Sequence, residues 1–385
     1  MNSSAEPFPG VRTFGVEEEL LLVNGRTFQP IPVAEETAAA AAALCSGNPG
    51  FSVTLELQQE QIEVAGPPQV SLAAQLDSIR TGRQLVDEAA SGFGARVAAV
   101  GTCPPPLAPH LVPMPRFRHM QERFALTLKE QLTCGFHVHV GIASPEEGIA
   151  AMDRIRAWLP VVLALSANSP FWNGSDSGYS SYRYQAWSRW PTAGPPPVFG
   201  TASGYERQIQ MLLASGVPLD DGMVYFDVRL SKHVPTLEVR IADVCLDAGH
   251  AAGIAALVRA LVETAVRSWH AGSRPDDVSA AEVRAWSWLA SREGMGGNLV
   301  SPLSRCPAPA GDVLSQLLEI VRPVLVEWQE DTAVEEIMAS ILRDGTGSVR
   351  QRSAFGRRGL FSDLLADSVL RTNAGSAAQL LPDAS

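Results

Sequence analysis

The stretch Cys134-Gly-Phe-His-Val-His-Val-Gly-Ile142 alternates strictly along its length. Successive side chains of a β-strand point to opposite faces, so this pattern predicts a strand with His137 and His139 on one face and apolar residues on the other. An ordinary half-buried strand does not place two imidazoles side by side. We therefore interpret the histidine face as a candidate functional surface.

Three further segments are predicted strands that carry ionisable or amide side chains at alternate positions. They are Phe14–Val23 with Glu17 and Glu19, the stretch ending in Gln61 and Glu63, and Thr236–Ile241 with Glu238 and Arg240. Glu56 and Glu63 are seven residues apart and so have opposite parity, which means that one unbroken strand cannot direct both to the same site. We therefore expect a bulge or break between these two acids.

Several carboxylates on one face of a sheet require compensating cations. Two unit charges about 4 Å apart repel by roughly 1 kcal/mol in water and by roughly 4 kcal/mol at an effective dielectric constant of about 20. Divalent metal ions are the simplest source of the compensating charge. An oxygen-rich ligand set with few imidazoles and no thiolate favours Mg²⁺ or Mn²⁺ over zinc.

The pairing of Glu238 with Arg240 suits phosphoryl transfer. In that chemistry metal ions neutralise the phosphate oxygens and an arginine stabilises the transferring group. The sequence contains no Walker A motif and no kinase glycine-rich loop. A bound nucleotide would therefore be held mainly through its metal ions.

The composition limits the classes of protein to which the chain can belong. The chain has 385 residues, 46% hydrophobic and 18% charged, as expected for a soluble globular protein with a sizeable core. Its 30 basic and 41 acidic residues give a net charge of −11. Non-specific binding to nucleic acid or to an anionic membrane requires a basic surface. We therefore expect small-molecule substrates and neither nucleic-acid nor membrane partners.

We expect a cytoplasmic protein, because no targeting signal is recognisable and the cysteine usage is typical of reduced thiols. The first ten residues lack the basic and apolar segments of a secretory signal. The stretches Ala38–Leu44 and Val161–Ala167 are far shorter than the roughly 18 apolar residues that cross a bilayer. The five cysteines form no Cys-x-x-Cys pair, which is typical of reduced thiols rather than of a disulfide framework or a thiolate zinc site.

Helices account for much of the remaining chain. Apolar spacing and helix propensity predict helices over Glu35–Leu44, Leu72–Phe93, Ile149–Ala167, Ala251–Trp269, Ala280–Ser291 and Gly311–Leu342. The Pro- and Gly-rich patches resemble loops rather than linkers. We therefore expect one catalytic domain over residues 1–385, with a core of about residues 12–361 and disordered termini.

The order of these motifs resembles one family, the carboxylate–amine ligases known as glutamate–cysteine ligase type 2. The segments that carry the resemblance are Gly15–Glu19, Glu56–Glu63, Gly135–Gly141, Asn168–Trp172, Tyr182–Trp190, Thr236–Arg240 and Arg350–Arg352. The resemblance covers nearly the whole chain and extends to glutamine synthetase. It implies an α+β fold of the glutamine synthetase-like type, with a mainly antiparallel catalytic β-sheet flanked by helices.

The resemblance further implies an ATP-dependent reaction. ATP would phosphorylate a carboxylate, typically the γ-carboxylate of glutamate, and an amine would then attack the acyl phosphate to form an amide. With cysteine as the amine, the product would be γ-glutamylcysteine. The cofactors implied are ATP and Mg²⁺, with Mn²⁺ as an alternative, and the resemblance weakly indicates a homodimer.

Metal-binding roles follow by analogy with glutamine synthetase. The metal ion that bridges the transferring phosphoryl group would be held by Glu17, His137 and Glu238. A second ion, nearer to the substrate carboxylate and amine, would be held by Glu19, Glu63 and Glu56.

The same analogy assigns roles to cationic residues. Arg240 would stabilise the phosphoryl transition state and His139 would contact the nucleotide phosphates, so both would also bind the cofactor. Arg183 and Arg189 are candidates for binding a substrate carboxylate through bidentate pairing. For Glu60 we expect a surface-facing position rather than a role as a metal ligand.

Three alternatives remain open at the level of sequence. The enzyme could ligate a different acid and amine, because the motifs determine the phosphoryl chemistry and not the amine pocket. It could be a metal-dependent amidohydrolase, although the remaining histidines do not fall in the strand order that such barrels require. It could also be a non-catalytic nucleotide or metabolite sensor, although every candidate ligand of the ligase site is present.

Overall fold

The structure of the protein is a computed structural model that describes residues 11–374. The termini that the sequence predicts to be disordered include residues 1–10 and 375–385, which lie outside the described residues. The strands are β1 Phe14–Asn24, β2 Ser52–Leu55, β3 Gln61–Ala65, β4 Ala95–Ala98, β5 Gly135–Gly141, β6 Phe171–Trp172, β7 Ser175–Asp176, β8 Val228–Leu230, β9 Thr236–Asp243, β10 Asn298–Val300 and β11 Pro307–Pro309.

Helices surround and connect these strands. They are α1 Ala34–Ser46, α2 Leu72–Ser91, α3 Pro115–Phe124, α4 Leu126–Lys129, α5 Pro145–Ile155, α6 Leu159–Ser166, α7 Tyr182–Trp187, α8 Ala202–Ala214, α9 Ala248–His270, α10 Ala280–Glu293, α11 Ala310–Glu327, α12 Asp331–Asp344, α13 Gly347–Gly356 and α14 Phe361–Thr372. Two short 3₁₀ helices cover Asp221–Met223 and Gly294–Gly296.

One seven-stranded sheet organises the molecule. Its strand order is β2-β3-β1-β5-β9-β8, and β4 pairs with β1 as a seventh strand. Each of these pairings is antiparallel. The predicted α+β fold with a mainly antiparallel sheet flanked by helices is therefore confirmed.

The alternation of residues along the strands assigns the two faces of the sheet. Val16, Val138 and Val239 belong to a large apolar cluster that they share with residues of α5, α6 and α9. The intervening positions carry the acids and histidines of the opposite face. The sheet is thus covered by helices on one face, and its ionisable residues lie on the other.

The helix α9 is the central element of the covered face. It runs for 23 residues, and its buried side chains belong to the same apolar cluster as those of the sheet. It is long and apolar enough to cross a membrane by length and composition, but 83% of its most apolar window is buried inside the protein. This burial is that of a core helix.

Two predicted helices are each divided in the structure. The expected helix over Ile149–Ala167 is α5 and α6, separated by a turn at residues 156–158. Pro160 has no backbone N–H to donate, so it is accommodated in the first turn of a new helix rather than inside a continuous one. The expected helix over Gly311–Leu342 is α11 and α12, separated where Gln329 adopts a φ of +59°.

A buried ion pair joins the covered face of the sheet to α2. Glu18 lies between two acids of the open face, and its side chain therefore points the other way. Arg83 of α2 donates to both carboxylate oxygens of Glu18, at 2.8 and 2.6 Å, and its Nη2 also donates to the backbone carbonyl of Cys245 at 2.6 Å. Both side chains are almost fully buried.

Replacement of Arg83 tests the contribution of this pair. Arg83→Ala would leave the Glu18 carboxylate buried without its cation, so we expect the free energy of unfolding to fall by about 3–5 kcal/mol. Urea denaturation measures this change. Arg80→Ala, at an exposed position of the same helix, is the control and should have little effect. Equal stability of the two variants would contradict a structural role for the pair.

Candidate active site

The register of four adjacent strands aligns the predicted site residues in a row. The cross-strand pairs are Glu19 with Glu63 between β1 and β3, Glu17 with His137 between β1 and β5, and His139 with Glu238 between β5 and β9. The alternation in the sequence predicted which residues share a face on each strand. The pairing of the strands brings these residues into one site.

Glu17 lies at the centre of the row. It accepts a hydrogen bond from His137 Nδ1 at 3.1 Å, and its other oxygen lies 3.2 Å from His139 Nε2. Burial opposes ionisation of Glu17, but the interactions with His137 and His139 outweigh it and hold the pKa of this carboxyl well below its usual value. Glu17 is therefore an ionised carboxylate between two imidazoles.

A cluster of three acids occupies one end of the row. Oxygen atoms of Glu19, Glu56 and Glu63 all lie within 4.8 Å of one another. Burial, followed by repulsion from the Glu19 carboxylate, raises the pKa of Glu56 to about 8. Burial and the charge of Glu56 likewise raise the pKa of Glu63. A divalent cation bound by these oxygens would remove the repulsion, so the donor set fits a metal ion.

The predicted break between Glu56 and Glu63 is present. The strand β2 ends at Leu55 and β3 begins at Gln61, so that Glu56 lies in the intervening loop and reaches the cavity from there. The expectation that Glu60 faces the surface is wrong. Glu60 is fully buried and accepts hydrogen bonds from the backbone N–H and Nδ1 of His110, at 3.1 and 2.6 Å.

The grouping of ligands at the other end differs from the expected one. Glu17 and Glu238 group with His139, whereas His137 groups with Glu17 and Glu63. The expected set of Glu17, His137 and Glu238 is therefore not the one that the strand register brings together. The reason is that His139 lies opposite Glu238, with a register shift between β5 and β9 at Phe136 and Val138.

Two arginines fix the position of Glu238. Arg229 donates to both of its oxygens, at 2.7 and 3.2 Å, and Arg240 donates to one of them. Burial opposes ionisation of Glu238, but the charges of Arg240 and Arg229 hold its pKa far below the usual value. A strand is expected over Tyr225–Leu230, but Arg229 was missed because its place opposite Glu238 depends on the pairing of β8 with β9. The available signal was its alternate position in a short apolar segment.

Gly135 allows a close approach at the start of the histidine strand. A Cβ at this position would lie 2.3 Å from Arg183 Nη2 and 3.1 Å from His137 Nε2. The backbone N–H of Gly135 donates to Glu19 Oε2 at 2.5 Å. Any larger residue would therefore displace groups at the site.

The two arginines expected to bind a substrate carboxylate instead lie close to acids of the protein. Arg183 is 3% exposed, and its Nη1 lies 3.8 Å from a buried Asp243 carboxylate oxygen. Arg189 pairs with Glu130 at 2.5 Å and stacks over Trp172. Neither lines the cavity that contains the acid cluster.

That cavity has a volume of about 270 Å³. Its lining includes the carboxylates Glu17, Glu19, Glu56 and Glu63, the guanidinium groups of Arg116, Arg229 and Arg240, and the aromatic rings of Trp187, Trp190 and Tyr225. A second cavity of about 610 Å³ shares Glu17 and His139 with the row but is otherwise largely apolar, with Phe14 and Val16 in its wall. Glu17 thus lines both an acidic cavity and a largely apolar one.

This fold is shared with solved ligases. A glutamate–cysteine ligase from Francisella tularensis in complex with AMP matches with a TM-score of 0.66 at 12% identity, over 95% of this chain and 89% of that one. A bifunctional glutathione synthetase from Pasteurella multocida matches with a TM-score of 0.69 at 14% identity, over 94% of this chain and 52% of that one. At this level of identity the matches show that the chain has the fold of these ligases.

The sequence comparisons specify the family. The chain belongs to glutamate–cysteine ligase family 2, whose model matches residues 13–364. A protein of Paenarthrobacter aurescens strain TC1 with the provisional name glutamate–cysteine ligase 2-1 is 48% identical over 366 residues, which cover 94% of this chain and 95% of that one. A similarly named protein of Streptomyces coelicolor is 43% identical over 94% of this chain and its own full length.

The family resolves part of what the sequence left open. The resemblance is confirmed, and the protein is an ATP-dependent carboxylate–amine ligase that uses a divalent metal. The described sheet is open and antiparallel, unlike the barrel of the amidohydrolase alternative. The enzyme assignment likewise disfavours a sensor without turnover.

The raised pKa of Glu56 predicts how the metal-free protein responds to pH. The folded-state value of about 8 exceeds the ordinary value of 4.5, so this group favours folding below about pH 4.5 and loses that contribution as the pH rises to about 8. Glu56→Gln removes the titration. We expect its unfolding free energy to decline less steeply with pH than that of the wild type, by at most roughly 1.4 kcal/mol per pH unit.

Urea denaturation in a chelating buffer between about pH 5 and about pH 8 measures these slopes. Glu122→Gln, at an exposed position of α3, is the matched control and should follow the wild type. If the unfolding free energies of wild type and Glu56→Gln fell equally steeply with pH, the pKa of Glu56 would not be raised in the folded protein.

Proposed function

We propose that the protein transfers the γ-phosphoryl group of ATP to a substrate carboxylate and then joins the acyl group to an amine. The reference reaction is L-glutamate with L-cysteine and ATP, giving γ-glutamylcysteine, ADP and phosphate. The observation that carries this proposal is the row of overlapping ligand groups, which share Glu17 and Glu63 across four strands. The names of the curated relatives support glutamate and cysteine as the substrates.

We propose two positions for metal ions along this row. Glu19, Glu56 and Glu63 would hold one ion, and Glu17, His139 and Glu238 would hold another. Mg²⁺ is the proposed metal and Mn²⁺ the alternative, because both prefer oxygen-rich ligand sets. When bound, such ions neutralise the charge of phosphate and carboxylate oxygens and so permit an anion to attack a polyphosphate. His137 lies between the two groups and has ligand atoms of Glu17 from one and Glu63 from the other within 4.8 Å.

The apolar cavity beside His139 suits the base and sugar of the nucleotide. It is larger than the acidic cavity, and its apolar wall can cover a flat ring. His139 is oriented by a hydrogen bond of 2.9 Å between Nδ1 and Thr236 Oγ1. In this arrangement the phosphates extend from the apolar cavity along the row, and the acid and amine occupy the acidic cavity.

In each of the two steps one bond forms as another breaks. An oxygen of the substrate carboxylate bonds to the γ-phosphorus while the bond from that phosphorus to the bridging oxygen breaks, and ADP leaves. The amine nitrogen then bonds to the acyl carbon, the carbon–oxygen bond to phosphate breaks, and the nitrogen loses a proton. A carboxylate alone is a poor acylating agent, so the first step makes the second one feasible.

Arg240 is placed to assist the first step. Its side chain is largely buried at the cavity wall, where it donates to Glu238. Its Nε has no hydrogen-bond partner among residues 11–374. The charges of Glu238 and its neighbours raise the pKa of Arg240 against the opposing effect of burial, so the guanidinium remains charged beside the transferring group.

The same proposal includes a cytoplasmic location and a homodimer.

The direct test is ADP release from ATP and Mg²⁺ by purified protein. Amino acids and amines are supplied singly and in pairs, and mass spectrometry identifies the products. Turnover that needs both a carboxylic acid and an amine, with a condensed product, would establish the reaction and name the substrates. The proposal would be overturned if ATP were consumed without a condensed product. It would also be overturned if the metal-bound protein consumed no ATP with any pair of acid and amine.

Substitutions at Glu238 and Arg240 test their roles separately. Glu238→Gln should abolish turnover and weaken metal binding, because the substitution removes a ligand charge. Arg240→Ala should retain the KM for ATP but lower kcat by roughly 10³-fold, since Arg229 still holds Glu238 in place. Steady-state kinetics and metal titration distinguish these effects, with Glu122→Gln as the control. Near-normal turnover of Glu238→Gln would remove this residue from the metal site.

A further inference from the structure

The acidic cavity has three guanidinium groups in its lining, and two of them are committed to the same acid. Arg229 and Arg240 both donate to Glu238. Arg116, from the first turn of α3, instead pairs with Asp220, to which its Nε and Nη2 donate at 2.8 and 2.9 Å. Arg116 is therefore the cation of this lining that is not engaged by a candidate metal ligand.

The position of Arg116 differs from that of an ordinary surface arginine. It lies where the acidic cavity meets a larger cavity of about 1070 Å³, and it lines both. Phe117 and Met120 of the same helix also line the acidic cavity, so α3 forms part of its wall. Arg116 Nη1 contacts the sulfur of Met120 at 3.3 Å, which directs this end of the guanidinium towards the cavity wall.

The charge of the cavity creates a need for such a group. Four carboxylates line it, so a substrate carboxylate that is not held by metal ions would be repelled unless a cation faced it. A planar guanidinium can pair with a carboxylate through two parallel hydrogen bonds. The Arg116 and Asp220 side chains are 40% and 39% exposed, so their pair is open to solvent and can exchange partners readily.

We propose that Arg116 binds the non-reacting carboxylate of a substrate. The ligand class is an amino acid or dicarboxylic acid, which carries a carboxylate besides the reacting group. This inference rests on the proposed function, since it assumes that the acid and amine occupy the acidic cavity. Arg116 thus takes the role that the sequence suggested for Arg183 and Arg189.

Arg116 also lines the larger cavity, which it shares with His139, so a nucleotide phosphate is the rival anion. Both anions would pair with a guanidinium in the same way. The two are distinguished by which affinity changes when Arg116 is replaced. Loss of substrate affinity supports the proposal, whereas loss of ATP affinity alone identifies the phosphate and overturns it.

The test compares matched ligands with and without the non-reacting carboxylate. The probes are glutamate with 4-aminobutanoate, aspartate with β-alanine, and cysteine with cysteamine. Calorimetry measures their binding to wild type, Arg116→Ala and Arg116→Lys in the presence of Mg²⁺ and a non-hydrolysable ATP analogue. Arg118→Ala is the control, because Arg118 lies two residues away on the same helix and donates instead to the backbone carbonyl of Pro113.

We expect the wild type to bind the carboxylate-bearing member of at least one pair 10-fold or more tightly. Arg116→Ala should abolish that preference by weakening this member alone, Arg116→Lys should restore part of it, and Arg118→Ala should retain it. No preference in any wild-type pair, or a preference that survives in Arg116→Ala, would overturn the inference. Neither result affects the proposed function, which stands or falls on ATP-dependent condensation.

Discussion

Electrostatic repulsion on one face of a sheet is the constraint on which the site depends. Glu17, Glu19, Glu63 and Glu238 project from adjacent strands whose spacing is fixed by backbone hydrogen bonds, so they cannot move apart. Two arginines neutralise Glu238, and two histidines flank Glu17. Among the described residues no arginine donates a hydrogen bond to Glu56 or Glu63, and burial followed by repulsion between the acids raises the pKa of both carboxyls. A divalent metal ion bound there would supply the compensating charge.

The opposite face of the sheet explains how this arrangement is tolerated. There the strands pack on α9, and the intervening Glu18 is held by Arg83 in a buried pair. Burial of apolar side chains favours folding by roughly 25 cal/mol per Å² of apolar surface. This large favourable contribution from the covered face offsets the unfavourable charge density of the open face. The covered face of the strands thus stabilises the fold, and the open face of the same strands carries the candidate site residues.

Local sequence patterns predicted the strands and their functional faces well, because alternation is a property of each strand alone. They did not predict which residues on different strands meet, because register depends on the whole sheet. His139 rather than His137 faces Glu238 for that reason. Glu60 was misassigned because its burial, and its hydrogen bond with His110 fifty residues away, arise only in the folded chain. Arg229 was missed because it meets Glu238 only through the register of β8 on β9, and Arg116 was missed because it lies on a helix with no motif.

The geometry of the row also constrains the direction of the chemistry. Glu17 belongs to two ligand groups, one with His139 and Glu238 and one with His137 and Glu63. In the proposed reaction, a phosphoryl group that approaches from the apolar cavity would meet Glu17 and His139, and a carboxylate in the acidic cavity would meet Glu17 and Glu63. The two reactants would therefore meet at Glu17, which lines both cavities. Because this row is built on paired strands, the sheet sets the positions of its ligands.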